Sequence, residues 1–214
     1  MEGRKTFHQQ LEDLYLDLLK MANTTVDIIE RTRRAFASLD RELARKIIDG
    51  DDEVDDYVKK IEENGMELLA RQAPVAIDLR TIIVIMRLAT HVERVADLCV
   101  NVSKAIMSLQ GYQLSPWISE NIDEMFQRAG NMLVCAMESF KERDTEKAEG
   151  LVKMDDTVDR INRAFLTRTK EESEEELELF VRVVMVSRFI ERIADHAVDI
   201  GEEVRYMITG QFVT

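Results

Sequence analysis

Apolar residues recur at helical spacing along almost the whole chain. In a first segment, about 7–39, Leu11, Leu14, Leu18, Met21, Val26 and Ile29 share one side. A second, about 40–72, carries a stripe of Ile47, Val54, Val58, Ile61 and Leu68. A third, about 74–109, carries Ile82, Ile85, Ala89, Val92 and Ala96. "QGYQLSPW" breaks the pattern, and three more helices are predicted at about 115–142, 144–170 and 173–208. End chemistry fixes these limits. Asp40 and either Asp144 or Thr145 read as N-caps, and Ser115 precedes Pro116 at a first helical position. Ser173 and Glu176 have capping-box spacing at a Glu-rich start, and Gly210 marks a C-terminal stop.

The six segments are two copies of three. Sliding the chain by 104 positions pairs Phe36 with Phe140, Asp40 with Asp144, Ala44 with Ala148, Asp51 with Asp155 and Asp55 with Asp159. In the third helices a shift of 98 pairs Glu93, Arg94, Ala96 and Asp97 with Glu191, Arg192, Ala194 and Asp195. A longer connection before the first copy's third helix accounts for the change. The predicted fold is all-α: two tandem antiparallel three-helix bundles, 1–110 and 115–214, related by an internal pseudo-twofold.

Inside these stripes sit acids. Asp51 projects into the apolar face of the second helix and Asp55 lies about 40° further round, whereas Asp52 and Asp56 point to solvent. Asp155 and Asp159 repeat the arrangement against Leu151, Val158 and Phe165. Glu93 and Asp97 flank the face formed by Val92, Ala96 and Cys99, and Glu191 and Asp195 do the same in the sixth helix. If the facing edges meet, four carboxylates converge in each half. Two such charges ~4 Å apart repel by about 4 kcal/mol at intermediate dielectric, so arginines, protons or cations must stand between them. Arg94 and Arg192 could neutralise the acids. Their repetition in register favours metal binding, and an all-oxygen set suits Mg²⁺, Mn²⁺ or iron better than structural zinc. The halves differ one turn on, where Asn101 aligns with Asp199 and Leu98 with His196; Asp199 therefore joins the expected ligands, and His196 is read as a surface or supporting group. His8 and His91 have no repeat partners and receive no role.

A net charge of −13 argues against nucleic acid, which needs clustered Lys and Arg. "MEGRKTFHQQ" holds no apolar leader and no run approaches a membrane span, so a cytoplasmic protein is expected. Cys99 and Cys135 lack ligand spacing and read as small core residues. Met86, Met125, Met132 and Met185 read as core filling, with a dimer face as the second reading. No nucleophile–base pair or phosphate-cradling Gly loop occurs, so no enzyme activity is expected.

In order, "GDDEVDD", "RQAPVAIDLR", "HVERVADLCVNV", "MDDTVD", "FIERIADHAVDIGEEV" and "YMITG" resemble the PhoU family over essentially the whole chain. The resemblance implies a non-enzymatic regulator that represses the phosphate-starvation response when phosphate is plentiful. It implies an adaptor between the transporter's ATPase subunit and a phosphate-sensing histidine kinase, and a homodimer is expected. It also implies multinuclear metal sites, iron foremost with Mn, Mg or Zn as other occupants, at Asp51, Asp55, Glu93 and Asp97 and at Asp155, Asp159, Glu191 and Asp195. Ala96 and Ala194 stand where family members often carry Gly, and the Asp78-Leu79-Arg80 phrase decays to Glu176-Leu177-Glu178 in the second copy. The alternatives are a carboxylate-bridged iron oxidoreductase and a metal-free helical scaffold. The Glu-x-x-His phrase of ferritin-like di-iron sites is absent, which weighs against the former.

Overall fold

The computed structural model describes residues 6–168 and 174–211. Helix α1 (Phe7–Ser38) ends at Leu39, whose φ of 49° is left-handed, and the next residue does two jobs. The Asp40 amide donates back to Ala35 O at 2.9 Å, while its carboxylate accepts from the amides of Glu42 and Leu43 and so starts α2 (Arg41–Asp49). The second copy rebuilds this corner atom for atom. Helix α5 (Pro116–Glu142) ends at Arg143 with φ 53°, Asp144 donates to Ser139 O at 2.9 Å, and its carboxylate accepts from Glu146 and Lys147. The helix that follows is α6 (Thr145–Arg168). One residue thus satisfies orphan groups of two helices, its backbone amide serving the end of the first and its carboxylate the start of the second.

The predicted second helix is two helices, α2 and α3 (Asp52–Gln72). Gly50 ends α2 with φ −100° and ψ 11° and interrupts the ladder, because glycine gains least from helical backbone. Its counterpart is Met154, and α6 runs unbroken through that position. The remaining helices are α4 (Ala76–Ser108) and α7 (Glu174–Thr209). Ser115 accepts from the Ile118 amide ahead of α5 as expected. The anticipated capping box at Ser173 and Glu176 lies outside the described side chains.

Among the described residues there is no strand, and the fold is the expected pair of antiparallel three-helix bundles. In the first, α1 and α4 pack with the α2–α3 pair; in the second, α5, α6 and α7 pack together. The third rods, α4 and α7, form the seam between bundles. Their contacts run in opposite directions: Arg80 with Met207, Arg87 with Glu203, His91 with His196. The pair is therefore antiparallel, as a pseudo-twofold requires. Arg80 Nε donates to Met207 O at 3.3 Å and caps the end of α7, a role the degraded Glu178 cannot mirror. Arg33 on α1 also reaches Asp123 on α5 across the seam.

The core is continuous across both bundles and includes the stripe residues Ile47, Val54, Ile61, Leu68, Leu151, Val158 and Phe165. Cys99 is fully buried, and burial pushes its thiol up to about 12; Cys135 is only partly buried. Met125 and Met132 fill the core, but Met185 does not: it is 53% exposed beside Val181 and Leu177, one or two turns away on the same side of α7. It lines a groove together with Asn101, Lys104 and Ala105 of α4. No described helix is long and apolar enough to cross a membrane.

Candidate metal centres

In the second bundle, α6 supplies Asp155 and Asp159, and α7 supplies Glu191 and Asp195. The helical stripes that bury Val158, Ile190 and Ala194 bring these acids along one shared edge. Burial, followed by the charges of Asp159, Asp195 and Glu191, pushes the Asp155 carboxyl up to about 6. Glu191 and Asp195 are raised as well, first by burial and then by neighbouring carboxylates. Glu191 accepts from Arg188 at 2.7 Å and from Asn162 at 3.4 Å, both on Oε1. Arg163 pairs with Asp159 at 3.2 Å. Two oxygens remain: Asp155 Oδ1 and Glu191 Oε2 are buried without a hydrogen-bond partner. Orphaned carboxylate oxygens at an acidic edge fit a hard cation, because protein donors have not filled that space.

The first bundle carries the same acids in a more neutralised form. Asp51, the N-cap of α3, and Asp55 within it lie near Glu93 and Asp97 on α4. Asp51 is raised by burial, then by Asp97 and Asp55; Glu93 is raised by burial, with Arg94 opposing and Asp97 adding. Arg94 donates to Asp97 at 2.9 Å and lies 3.8 Å from Glu93, so a guanidinium partly occupies this edge. The expected arginine is used in this half. In the other, Arg188 rather than Arg192 holds Glu191. Asp52 and Asp56 face solvent as predicted, and Asp52 and Asp156 remain outside both quartets.

Asp199 points elsewhere. Its Oδ2 lies 3.5 Å from His91 Nδ1 and 3.4 Å from His196 Nδ1, and the two ring nitrogens are 3.3 Å apart. Among the described residues this is the group of three His, Cys or acidic side chains whose ligand atoms all fall within 4.8 Å of one another. Asp199 is held below the usual carboxylate range, chiefly by its hydrogen bond to His196, while burial pulls the His91 ring down. Sequence reasoning gave His91 no role because it has no repeat partner. The usable signal was the twofold itself: an antiparallel α4–α7 seam places position 91 opposite position 196.

Comparison with known proteins follows the same division of the chain. A family model of the PhoU domain matches residues 18–106 and again 122–204. The chain is 33% identical over 214 residues to a protein of Clostridium acetobutylicum, covering 98% of this chain and 97% of that one. That relative is named phosphate-specific transport system accessory protein PhoU homolog. A Thermotoga maritima homolog of the same description is 29% identical, covering 96% and 90%. The crystal structure of PhoU from Pseudomonas aeruginosa superposes with a TM-score of 0.89 at 28% identity, covering 96% of this chain and all of the other. The regulatory PhoU of Streptococcus pneumoniae gives 0.88 at 25% identity.

Proposed function

The chain belongs to the PhoU family, and on that premise we propose that it is a metal-binding cytoplasmic regulator of phosphate uptake. It acts as an adaptor between the phosphate transporter's ATPase subunit and a phosphate-sensing histidine kinase, and it holds the starvation response off while phosphate is abundant. The full-length similarity to proteins named accessory to phosphate transport supports this reading. The observation that carries the metal is the pair of buried, unpartnered oxygens on Asp155 and Glu191.

Asp155, Asp159, Glu191 and Asp195 would hold cations in one bundle, and Asp51, Asp55, Glu93 and Asp97 in the other. The oxygen donors suit iron, Mn²⁺ or Mg²⁺. Bound cations would cancel carboxylate repulsion and fix the facing helices, so the acidic edge becomes a firm surface for a partner. No reaction is assigned to them.

The test is genetic and analytical together. Deleting the gene should switch on starvation-induced genes in phosphate-replete medium; the parent gene should restore silence, and the Asp97→Ala/Asp195→Ala variant should not. Elemental analysis of the purified proteins should find metal in the parent and a large loss in the variant. Starvation genes that stay silent after deletion overturn the regulatory reading, and equal metal in both proteins overturns the ligand assignment.

A further inference from the structure

The geometry points to a third metal site, separate from the carboxylate edges: a mononuclear transition-metal site of the zinc class at the bundle seam, formed by His91 Nδ1, His196 Nδ1 and Asp199 Oδ2. The three atoms make a nearly equilateral triangle with sides of 3.3, 3.4 and 3.5 Å. A tetrahedral Zn²⁺ with bonds of about 2.0–2.1 Å separates its ligand atoms by about 3.3–3.4 Å. The triangle therefore matches one face of that tetrahedron.

Hydrogen bonding alone serves this triangle poorly. Each imidazole brings at most one hydrogen at Nδ1, and the carboxylate brings none. Both hydrogens directed at Asp199 would leave two N–H groups facing each other across 3.3 Å. One cation at the centre satisfies all three donors at once. The histidine side chains are 25% and 17% exposed and Asp199 is 46% exposed, so solvent reaches the triangle. Two imidazoles and one carboxylate are a donor set that zinc and its neighbours prefer over Mg²⁺ or Ca²⁺.

The ligands come from both bundles, His91 from α4 and His196 with Asp199 from α7. The site occurs on one side of the pseudo-twofold only. The mates of His91, His196 and Asp199 under the repeat are Phe189, Leu98 and Asn101, which cannot bind a cation in this way. An ion here would bolt the bundles together, and it would do so independently of whether the acidic edges bind metal.

The mates supply conservative test variants, His91→Phe and His196→Leu. Chelator-stripped full-length protein is titrated with Co²⁺ alone and read by its visible d–d bands, then with Zn²⁺ alone and read by competition. The parent and an Asp155→Asn control should show the intense bands of tetrahedral cobalt. Both histidine variants, checked for helicity, should lose them and bind Zn²⁺ at this site about a hundredfold more weakly or worse, since removing even a supporting residue behind a ligand costs 10–100-fold. Bands that persist in both histidine variants overturn the site, and so do bands lost only in Asp155→Asn, which would assign the ion to the carboxylate edge. Should the variants fail to fold, the parent decides. The chain has 3 histidines, and nitrogen NMR on adding Zn²⁺ must move the His91 and His196 Nδ1 signals; if these stay fixed the proposal is overturned.

Discussion

Asp155 and Asp51 are repeat mates in different electrostatic positions. Asp51 stands at the N-cap of α3, where burial and then Asp97 and Asp55 raise its carboxyl while Lys104 opposes them. Asp155 lies within α6, far from either end, with one oxygen buried and unpartnered. Its carboxyl is raised to about 6, so the folded chain keeps this proton at pH values where the unfolded chain has released it. Metal-free protein should therefore lose stability as pH rises from the ordinary carboxyl range through about 6, and stay at the lower level above it. Solvent screening of a partly exposed group limits the loss to roughly 1 kcal/mol. Thermal melts across that window should show the decline, and Asp155→Asn should flatten it; identical slopes in the two proteins would contradict the argument. Among the described residues no three ligand atoms of the quartet acids fall within 4.8 Å of one another. Their neighbourhood was legible in the sequence because duplication wrote each acid twice. The histidine triangle was not, since its members come from helices that meet only after folding and have no repeat mates of the same kind.

At the scale of the element, α7 passes α6 through a gap made by Gly201. A Cβ there would lie 2.7 Å from Leu151 Cδ1 and 3.0 Å from Ala148 O. The leucine can turn away, but the carbonyl belongs to the neighbouring helix backbone and can yield only if α6 moves. Gly201→Ala should destabilise the protein by about 1–3 kcal/mol despite alanine's better helix propensity. Urea unfolding with an unchanged or higher midpoint would show that the helices part without cost. The helix ends at Asp40, Ser115, Asp144 and Gly210 fall where the residue chemistry of the sequence marks them. The break at Gly50 escaped that reading because Ile47 and Val54, two turns apart, stay on one buried stripe across it. Periodicity reports which side is buried, and a local interruption that preserves the side leaves no trace in it.

The whole molecule shares one core, and α4 and α7 each serve a bundle while sealing the seam. Neither half can open without exposing the other's apolar face, so both should unfold together. The chain offers a direct check, since its 1 tryptophan, Trp117, belongs to the second bundle, packed against Phe165 and Phe180. Its fluorescence reads that bundle, whereas far-ultraviolet circular dichroism reads all helices. Denaturation curves from the two probes should superimpose; a circular dichroism transition that begins well before the tryptophan signal would mean that the first bundle melts alone.

The duplication also frees the two sides of the seam to evolve apart. Where two identical subunits meet across an axis, any substitution is made twice and every new contact is mirrored. Here both sides are encoded by separate stretches of one gene, joined through the connection after Ser108, so His91 could arise without forcing a histidine at Phe189. A tethered pair of this kind can acquire a lopsided feature at its own centre by single changes, which an untethered dimer of equal halves cannot.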